Sequence, residues 1–155
     1  MGHLIIEGGR PLNGAVRVHG AKNSVLPILA AALLPRGESV IHNCPDLTDV
    51  AAAVEILRAL GCRVRRSGTT LAVDAPAELG HTVPDGPMGR MRASVLFLGA
   101  LLGRTGRAAA CWPGGCALGA RPIDLHLRAF RALGAEVAGA GTERIVVCGG
   151  RPLRP

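Results

Sequence analysis

The segment most suggestive of chemistry is a glycine-rich stretch around Cys116. Residues 112–125 have the sequence WPGGCALGARPIDL, and Pro113 followed by two glycines can continue neither a strand nor a helix. Cys116 is therefore expected on a loop that leads into a helix start, where free N–H groups attract anions and favour the thiolate. Arg121 can form paired hydrogen bonds with a phosphate or carboxylate. This pattern predicts a reactive cysteine beside an anion site, and a surface loop with an incidental cysteine is the alternative.

The chain contains a single lysine, Lys22, among its 18 basic residues. It lies in the sequence GAKN, residues 20–23, where an apolar segment that we expect to be helical begins. Such a position again favours an anion, and an ammonium is a compact charge that can approach a phosphate where a guanidinium cannot. Arg92 holds the position in the second half of the chain that matches Asn23. We expect these polar groups to face one cleft; the alternative is a lone lysine without a function.

The other four cysteines have the features of structural thiols. They lie in or beside expected strands, among apolar neighbours, and show neither a C-x-x-C pair nor a histidine array suited to zinc. No metal site is therefore predicted, and a reduced cytoplasmic set of buried thiols is expected. These cysteines are Cys44, Cys62, Cys111 and Cys148.

The elements that must position these residues occur twice along the chain. The sequence RALG at 58–61 recurs at 131–134, and the opening GGRPL at 8–12 returns at 149–153. Each copy is expected to contain an apolar helix, a short strand, an amphipathic helix and a hairpin. The predicted class is α/β, built from repeated units of about 70 residues. Because the opening of a third copy closes the sequence, we expect a chain truncated after two units.

Hydrophobic periodicity and turn residues give approximate bounds for these elements. Apolar helices are expected over 23–34 and 92–102, and short strands over 39–42 and 108–111. Hairpins are expected over 62–74 and 135–148. The amphipathic helices are predicted to bury two stripes: Leu47, Val50, Val54 and Leu57 in the first copy, and Ile123, Leu127, Phe130 and Leu133, after a start at Pro122, in the second.

The net charge of +7 points to an anionic partner. The only dense basic run, Arg63, Arg65 and Arg66, alternates along an expected strand, and two Phe, one Trp and no Tyr leave few rings to stack on bases. We therefore favour small anionic ligands over nucleic acid.

The apolar runs 25–34 and 95–102 are too short to span a membrane, and no export signal is visible, so a soluble cytoplasmic protein is expected.

Three motifs resemble the signatures of the enolpyruvyl transferase family, in its UDP-N-acetylglucosamine 1-carboxyvinyltransferase branch. They are GAKN at 20–23, MRAS at 91–94 and PGGCALGARPIDLH at 113–126. The likeness runs along the whole chain and covers about the first third of a typical member. The cysteine loop is the specific part, because the related shikimate-pathway enzyme shares the repeats but lacks that loop.

The resemblance implies a fold of the inside-out α/β barrel type, in which three such units form a domain. Residues 1–20 would form strands that pair with a second domain. Residues 21–86 would be the first repeat unit, and 87–150 the second unit with a catalytic loop at 112–121. Residues 151–155 would begin a third unit. The chain alone is then expected to be inactive and to self-associate through uncovered faces.

The implied reaction transfers the enolpyruvyl group of phosphoenolpyruvate to the 3′-hydroxyl of UDP-N-acetylglucosamine with release of phosphate, in peptidoglycan precursor synthesis. No metal or organic cofactor is implied. Cys116 would form an adduct with phosphoenolpyruvate, donate a proton to its methylene carbon and be the target of fosfomycin. The same resemblance assigns the substrate-binding roles to Lys22, Asn23, Arg92, Arg121, Pro122, Ile123, Asp124 and Leu125.

Two features depart from the family pattern. An aromatic residue that is frequent near the sugar is Leu96 here, with Phe97 beside it. The aspartate that takes the proton from the sugar hydroxyl in the family would also lie outside this chain. Two other functions therefore stay open: a non-catalytic module that binds a UDP-sugar or phosphate, and a basic nucleic-acid binder whose affinity falls steeply with salt.

Overall fold

The computed structural model describes residues 3–114, 122–140 and 142–149. Two similar sets of elements follow one another, so the predicted α/β class and its internal repeat are confirmed. The first set is α1 (Lys22–Ala31), β1 (Gly37–Ile41), α2 (Thr48–Ala59), β2 (Arg63–Ser67) and β3 (Thr70–Ala75). The second set is α3 (Asp85–Arg90), a 3-10 turn (Arg92–Ser94), α4 (Val95–Thr105), β4 (Arg107–Cys111), α5 (Asp124–Ala132), β5 (Ala135–Ala138) and β6 (Arg144–Gly149).

Each set forms a three-stranded antiparallel sheet with the same topology. The strand order is β1-β3-β2 in the first sheet and β4-β6-β5 in the second. In the first sheet Val73 of β3 faces Ser39 on one side and Val64 on the other. The equivalent residue of β6, Val147, lies between Ala108 and Val137. The last strand of each set is therefore its central strand.

The hairpins form where local sequence demands them. Gly68, between β2 and β3, has a φ of +55°, which glycine adopts without strain. In β3 the residues Leu71, Val73 and Ala75 are buried and alternate with half-exposed neighbours. This period of two is what a strand with one face on the core requires. Both predicted hairpins are thus confirmed.

The core joins the two sets through their helices. α1 packs against both α2 and α4, and the face of α4 towards the core includes the fully buried Phe97, Leu98 and Leu101. Phe130 of α5 packs beside Gly99 of the same helix, at a distance where a Cβ on Gly99 would be in ordinary contact, 3.6 Å from the phenyl ring. The apolar segments read from the sequence are therefore the helices that hold the two units together.

The predicted stripe of α2 is wrong at one of its four positions. Val50 and Leu57 are fully buried, and Val54 is half-buried and packs against the core, but Leu47 is exposed. The buried face instead includes Ala52, Ala53 and Ile56. Small alanine side chains allow a close approach between helices, so the centre of the face lies nearer Ala53 than the larger side chains suggested.

The second stripe is also only partly correct. Ile123 and Leu127 are buried, whereas Phe130 is half-buried and Leu133 is 37% exposed. The helix begins at Asp124, two residues after the predicted start at Pro122. This amphipathic helix packs against β5 of its own sheet and buries Leu127, and Phe130 packs at the margin of the core.

One helix was not expected from the sequence. α3 is six residues long and contains Gly86, Pro87 and Gly89, all of which disfavour a helix in isolation. Pro87 lies in the first turn, where its missing N–H would have had no partner inside the helix. Just before α3, Thr82 forms a parallel bridge with Ala109 of β4. Tertiary contacts therefore decide the conformation of this segment.

Residues 3–21 contain no helix or strand in this structure. The apolar side chains of this segment are 84–97% exposed: Leu4, Ile5, Ile6, Leu12, Val16 and Val18. The strands predicted over 1–20 require partners from a second domain, so they stay a prediction.

Within the described part of the chain, none of the helices combines the length and apolar character needed to cross a membrane.

Candidate active site

Gly20 determines the path of the chain into α1. A Cβ at this position would lie 2.1 Å from the carbonyl oxygen of Asn43, so only glycine fits. Asn43 itself has a φ of +55°, in the left-handed region that asparagine tolerates better than most residues. Two residues after Gly20, α1 begins at Lys22. A tight crossing of two chain segments thus fixes where the predicted anion-binding helix starts.

The N-terminus of α1 is open to an anion. Among the residues that the structure describes, no side chain caps this helix, and its first turn contains no acidic residue. The unpaired N–H groups of a first turn carry partial positive charge. Asn23 is exposed in that turn. The backbone and Asn23 can therefore donate to the same ligand.

Lys22 forms an ion pair with Asp49, the acidic residue in the first turn of α2. The Nζ–Oδ2 distance is 3.1 Å, and the side chains of Lys22 and Asp49 are 52% and 26% exposed. An ammonium has three N–H donors, and one carboxylate oxygen takes one of them. The remaining donors of Lys22 are available to a ligand.

Arg92 begins the turn that leads into α4 and contacts the segment beyond the cysteine loop. Its Nη2 donates a hydrogen bond to the carbonyl oxygen of Pro122 at 2.8 Å. The turn is held by Ser94, which is fully buried and whose hydroxyl donates to the carbonyl oxygens of Met91 (2.5 Å) and Met88 (3.0 Å). Four further N–H donors of the guanidinium stay available for an anion.

Basic residues at these two helix starts oppose the usual electrostatic preference. α2, α3 and α5 each have an aspartate in the first turn, as the helix dipole favours. α1 instead begins with Lys22, and the turn before α4 begins with Arg92. Such a reversal costs about 0.3–1 kcal/mol at each end. A bound anion would offset that cost at both places.

Cys116, the predicted reactive thiol, and Arg121, the predicted anion-binding guanidinium, lie outside the described residues. The residues just before this segment form two hydrogen bonds with other parts of the chain. The indole Nε1 of Trp112 donates to the carbonyl oxygen of Thr142 at 2.6 Å, and Gly114 N–H donates to Met88 at 3.1 Å. On the far side, Pro122 accepts the bond from Arg92 described above. Met88 of α3 therefore contacts the residues just before the cysteine segment, and Arg92, in the turn after α3, contacts the residue just after it.

The predicted sugar-site residues after the loop differ in exposure. Pro122, Asp124 and Leu125 are exposed, and Leu125 is 67% exposed. Ile123 is buried in the core, so little of its side chain is accessible in this structure. Phe97 is also fully buried, and it cannot replace the aromatic residue that the family pattern has near Leu96.

Three of the described thiols, Cys44, Cys62 and Cys111, are poor nucleophiles. Cys44 and Cys62 are buried, and burial raises the pKa of both, that of Cys62 to about 11. Burial, and then the nearby carboxylate of Asp85, raises the pKa of Cys111. The prediction of full burial is wrong for Cys111 and Cys148, which are half-buried. Cys111 ends a strand, and Cys148 points to the opposite face of β6 from the buried Val147.

A cavity of about 470 Å³ opens beside the entry to α1. Its wall includes His19, Gly20 and Arg66. Arg66 is already engaged, since it donates to the carbonyl oxygen of Cys44 at 3.1 Å and pairs with Asp46 at 3.3 Å.

Across residues 3–114, 122–140 and 142–149, His, Cys, Asp and Glu side chains nowhere gather in a group of three that could hold a metal.

Asp49 is the residue of this region that the sequence did not reveal. An aspartate in the first turn of an amphipathic helix is typical of helices in general, so its type and position carry no functional signal. Only the packing of α1 against α2 brings it to Lys22. The pairing of Asp85 with Arg144, at 2.8 and 3.0 Å, was missed for the same reason.

Comparison with known proteins identifies the class. The profile of the family described as EPSP synthase (3-phosphoshikimate 1-carboxyvinyltransferase) matches residues 6–152. The chain therefore belongs to this family. The enolpyruvyl transferase NikO from Streptomyces tendae has the same fold, with a TM-score of 0.77 and 31% identity over 96% of this chain and 32% of that one. EPSP synthase from Acinetobacter baumannii aligns with a TM-score of 0.69 at 17% identity, over 91% of this chain and 33% of that one, a likeness of fold. The predicted fold type is thus confirmed.

In sequence, the chain is similar to proteins of one branch of that family. It is 51% identical over 137 residues to UDP-N-acetylglucosamine 1-carboxyvinyltransferase 2 of Caldanaerobacter subterraneus subsp. tengcongensis, over 88% of this chain and 33% of the relative. It is 49% identical to UDP-N-acetylglucosamine 1-carboxyvinyltransferase of Myxococcus xanthus, with the same coverage. The chain spans about a third of the length of these relatives.

Proposed function

We propose that this chain supplies part of the active site of a UDP-N-acetylglucosamine 1-carboxyvinyltransferase, in a cytoplasmic step of peptidoglycan precursor synthesis. The observation that carries the proposal is its identity of about one half to relatives of that name. Identity to the EPSP synthase structure is only 17%, which favours an amino-sugar acceptor over shikimate 3-phosphate. In this role residues 21–86 and 87–150 act as two repeat units of a larger domain.

The helix starts would bind the anionic substrate. Lys22, Asn23 and the open N–H groups of α1 provide donors for the phosphate and carboxylate of phosphoenolpyruvate. Arg92 and Arg121 add guanidinium donors for phosphate groups. Positive charge at these points stabilises the transition state, because the substrate stays anionic throughout the reaction.

The UDP-sugar would lie along the segment after the loop. Pro122, Asp124 and Leu125 are exposed there, and Ile123 contributes its backbone. Arg92 fixes this segment through the carbonyl oxygen of Pro122. The bond between them therefore links the two parts of the proposed site.

The chemical step needs an acid on one side of the double bond. Cys116 would donate its proton to C3 of phosphoenolpyruvate while the sugar 3′-oxygen bonds to C2. The hydroxyl proton passes to a base that lies outside the residues named here. The C–O bond to phosphate then breaks, a proton leaves C3, and the double bond forms again. The raised pKa values of three described thiols support this choice of cysteine.

A chimaera tests the proposal. This chain replaces the matching third of the Caldanaerobacter relative, and phosphate release from phosphoenolpyruvate is measured with UDP-N-acetylglucosamine or shikimate 3-phosphate. We expect release only with the amino sugar. Cys116→Ala should abolish it, and Cys148→Ala, a half-buried thiol of β6, is the matched control. Lys22→Arg should lower kcat strongly although the charge is kept.

Three outcomes would count against the proposal: release with shikimate 3-phosphate, no release at all, or full activity of Cys116→Ala. An inactive chimaera combined with saturable UDP-N-acetylglucosamine binding by the 155-residue chain would favour the non-catalytic binding module instead. Fosfomycin gives an independent measurement. It should modify Cys116 alone, and the control variant Cys148→Ala should be modified to the same extent.

A further inference from the structure

The ion pair between Lys22 and Asp49 joins the first turns of two helices. Lys22 opens α1, Asp49 lies one residue into α2, and the two helices pack together. Asp49 is the more enclosed partner, with 26% of its side chain exposed against 52% for Lys22. A flexible four-carbon side chain is thus held at its tip by a carboxylate on a fixed backbone. Without such a contact a half-exposed lysine samples many rotamers.

We propose that Asp49 is a positioning residue that holds the Lys22 ammonium in the orientation that receives an anionic oxygen of phosphoenolpyruvate. The inference rests on the proposed function, since it concerns how Lys22 meets that substrate. Asp49 accepts one N–H of the ammonium, which leaves the other two for a ligand at the start of α1. The rotamer entropy of Lys22 is then lost on folding and not on binding, which strengthens binding.

Two simpler roles for Asp49 make different predictions. If Asp49 only neutralises Lys22, its removal frees the ammonium and phosphoenolpyruvate should bind more tightly. If Asp49 only stabilises the start of α2 through the helix dipole, its removal should change stability and leave binding at Lys22 unchanged. A positioning role predicts weaker binding. The sign of the change therefore distinguishes the three.

The single lysine of the chain makes this measurable in the 155-residue protein itself. Lysine labelled with ¹³C at Cε gives one protein signal, that of Lys22, which is followed by NMR during a titration with phosphoenolpyruvate. The titration is done in about 0.5 M salt, which screens long-range electrostatic interactions. The change in net charge of the variants therefore has little influence on the dissociation constant. The variants are Asp49→Ala, Asp49→Asn in case the first fails to fold, and Asp49→Glu.

Glu55→Ala is the matched control, because Glu55 lies on the same helix and pairs with Arg90. In the wild type and this control we expect separate signals for the two Hε protons of Lys22. In Asp49→Ala these signals should merge, and the dissociation constant for phosphoenolpyruvate should rise about fivefold. Asp49→Glu should recover part of that loss. Circular dichroism should show the same helix content in all variants.

Equal or tighter binding by Asp49→Ala, or a wild-type Lys22 signal that does not respond to phosphoenolpyruvate, would overturn the assignment. The proposed function is judged separately by the wild-type chimaera. If the chimaera is active and Asp49→Ala binds phosphoenolpyruvate as tightly as the wild type, only the role proposed for Asp49 is refuted. An inactive chimaera, with the NMR result as expected, removes the function and leaves Asp49 as the residue that orients Lys22 towards anions.

Discussion

Arg92 donates a hydrogen bond of 2.8 Å to the carbonyl oxygen of Pro122, across 30 residues of chain. This bond ties the turn before α4 to the segment that precedes α5. A lysine at position 92 would keep the charge but lose the planar fork of donors, so it could not hold both this carbonyl and a phosphate. In the proposed site, one guanidinium would therefore serve two functions.

We expect Arg92→Lys in the chimaera to raise KM for UDP-N-acetylglucosamine about tenfold, the effect of losing one charge-assisted hydrogen bond. Steady-state kinetics measures this. Arg90→Lys is the control, because Arg90 pairs with Glu55 on the surface nearby and should leave KM unchanged. Unchanged kinetics in Arg92→Lys would remove Arg92 from the site.

The close contact between Gly114 and Gly89 should be sensitive to a single methyl group. A Cβ at Gly114 would lie 1.4 Å from the carbonyl oxygen of Gly89, so Gly114→Ala requires the backbone to move. We expect a loss of about 1–3 kcal/mol in the free energy of unfolding, measured with denaturant. Gly86→Ala meets open space in α3 and should stabilise slightly. Equal stabilities would show that the two segments do not pack in solution.

Stability should fall in alkaline solution because of Cys62. Its folded pKa of about 11 is raised above the ordinary value of 9.0, so the unfolded chain loses its proton first. The contribution of the protonated Cys62 thiol to the free energy of unfolding, about 2–3 kcal/mol, is fully present below pH 9. It is lost as the pH rises from 9 to about 11. Among the described groups, Cys44 and Cys111 also have a raised pKa and add to the same decline.

Denaturant unfolding at several pH values tests this, and Cys62→Ala should flatten the alkaline decline. Cys148→Ala is the control and should retain it. The raised pKa of Cys44 leaves a smaller decline in Cys62→Ala. An identical pH profile for Cys62→Ala and the wild type would contradict the assignment.

Cys116 should be the first thiol to be alkylated near neutral pH. The pKa values of Cys44, Cys62 and Cys111 are raised, which lowers their thiolate fraction. Brief treatment with iodoacetamide followed by peptide mapping measures the order of labelling. Equal labelling of Cys44 or Cys148 would refute this prediction.

The 155-residue chain alone should self-associate. An apolar groove of about 220 Å³ runs between α1 and α4, and Leu34 at its edge is 49% exposed. Exposed apolar surface of this kind favours association. We expect Leu34→Glu to reduce the mass measured by light scattering, and Glu78→Ala, away from the groove, to leave it unchanged. A wild-type monomer at every concentration would show that the groove needs no cover.

Local signals in the sequence were enough to predict most of the fold. The hairpin with Gly68 at its turn, the strand at β4 and the repeat of two units depend on periodicity and on turn residues near in sequence. α3 was missed because its glycines and proline disfavour a helix, and its contacts with α2 and β4 come from distant parts of the chain. Tertiary structure overrides weak local preference in such segments.

The candidate site was predictable in its residue types but not in its pairings. Lys22 was singled out as the only lysine of the chain, at the start of an expected helix, and Arg92 as the residue that matches Asn23 in the second copy. The partners Asp49 and Pro122 could not be, since each contact crosses between elements whose relative placement no local pattern encodes. Ile123 was assigned to the site by its position in a motif, and its burial shows that a motif mixes ligand-facing and core-facing residues.

The order of strands in both sheets has a consequence for synthesis on the ribosome. β1 and β2 emerge first, yet neither bonds to the other, and both wait for β3, which lies between them. The same holds for β4 and β5 until β6 appears. Each sheet must therefore form in one late step, after its last strand has left the exit tunnel. Until then the nascent chain carries two strands without their common partner.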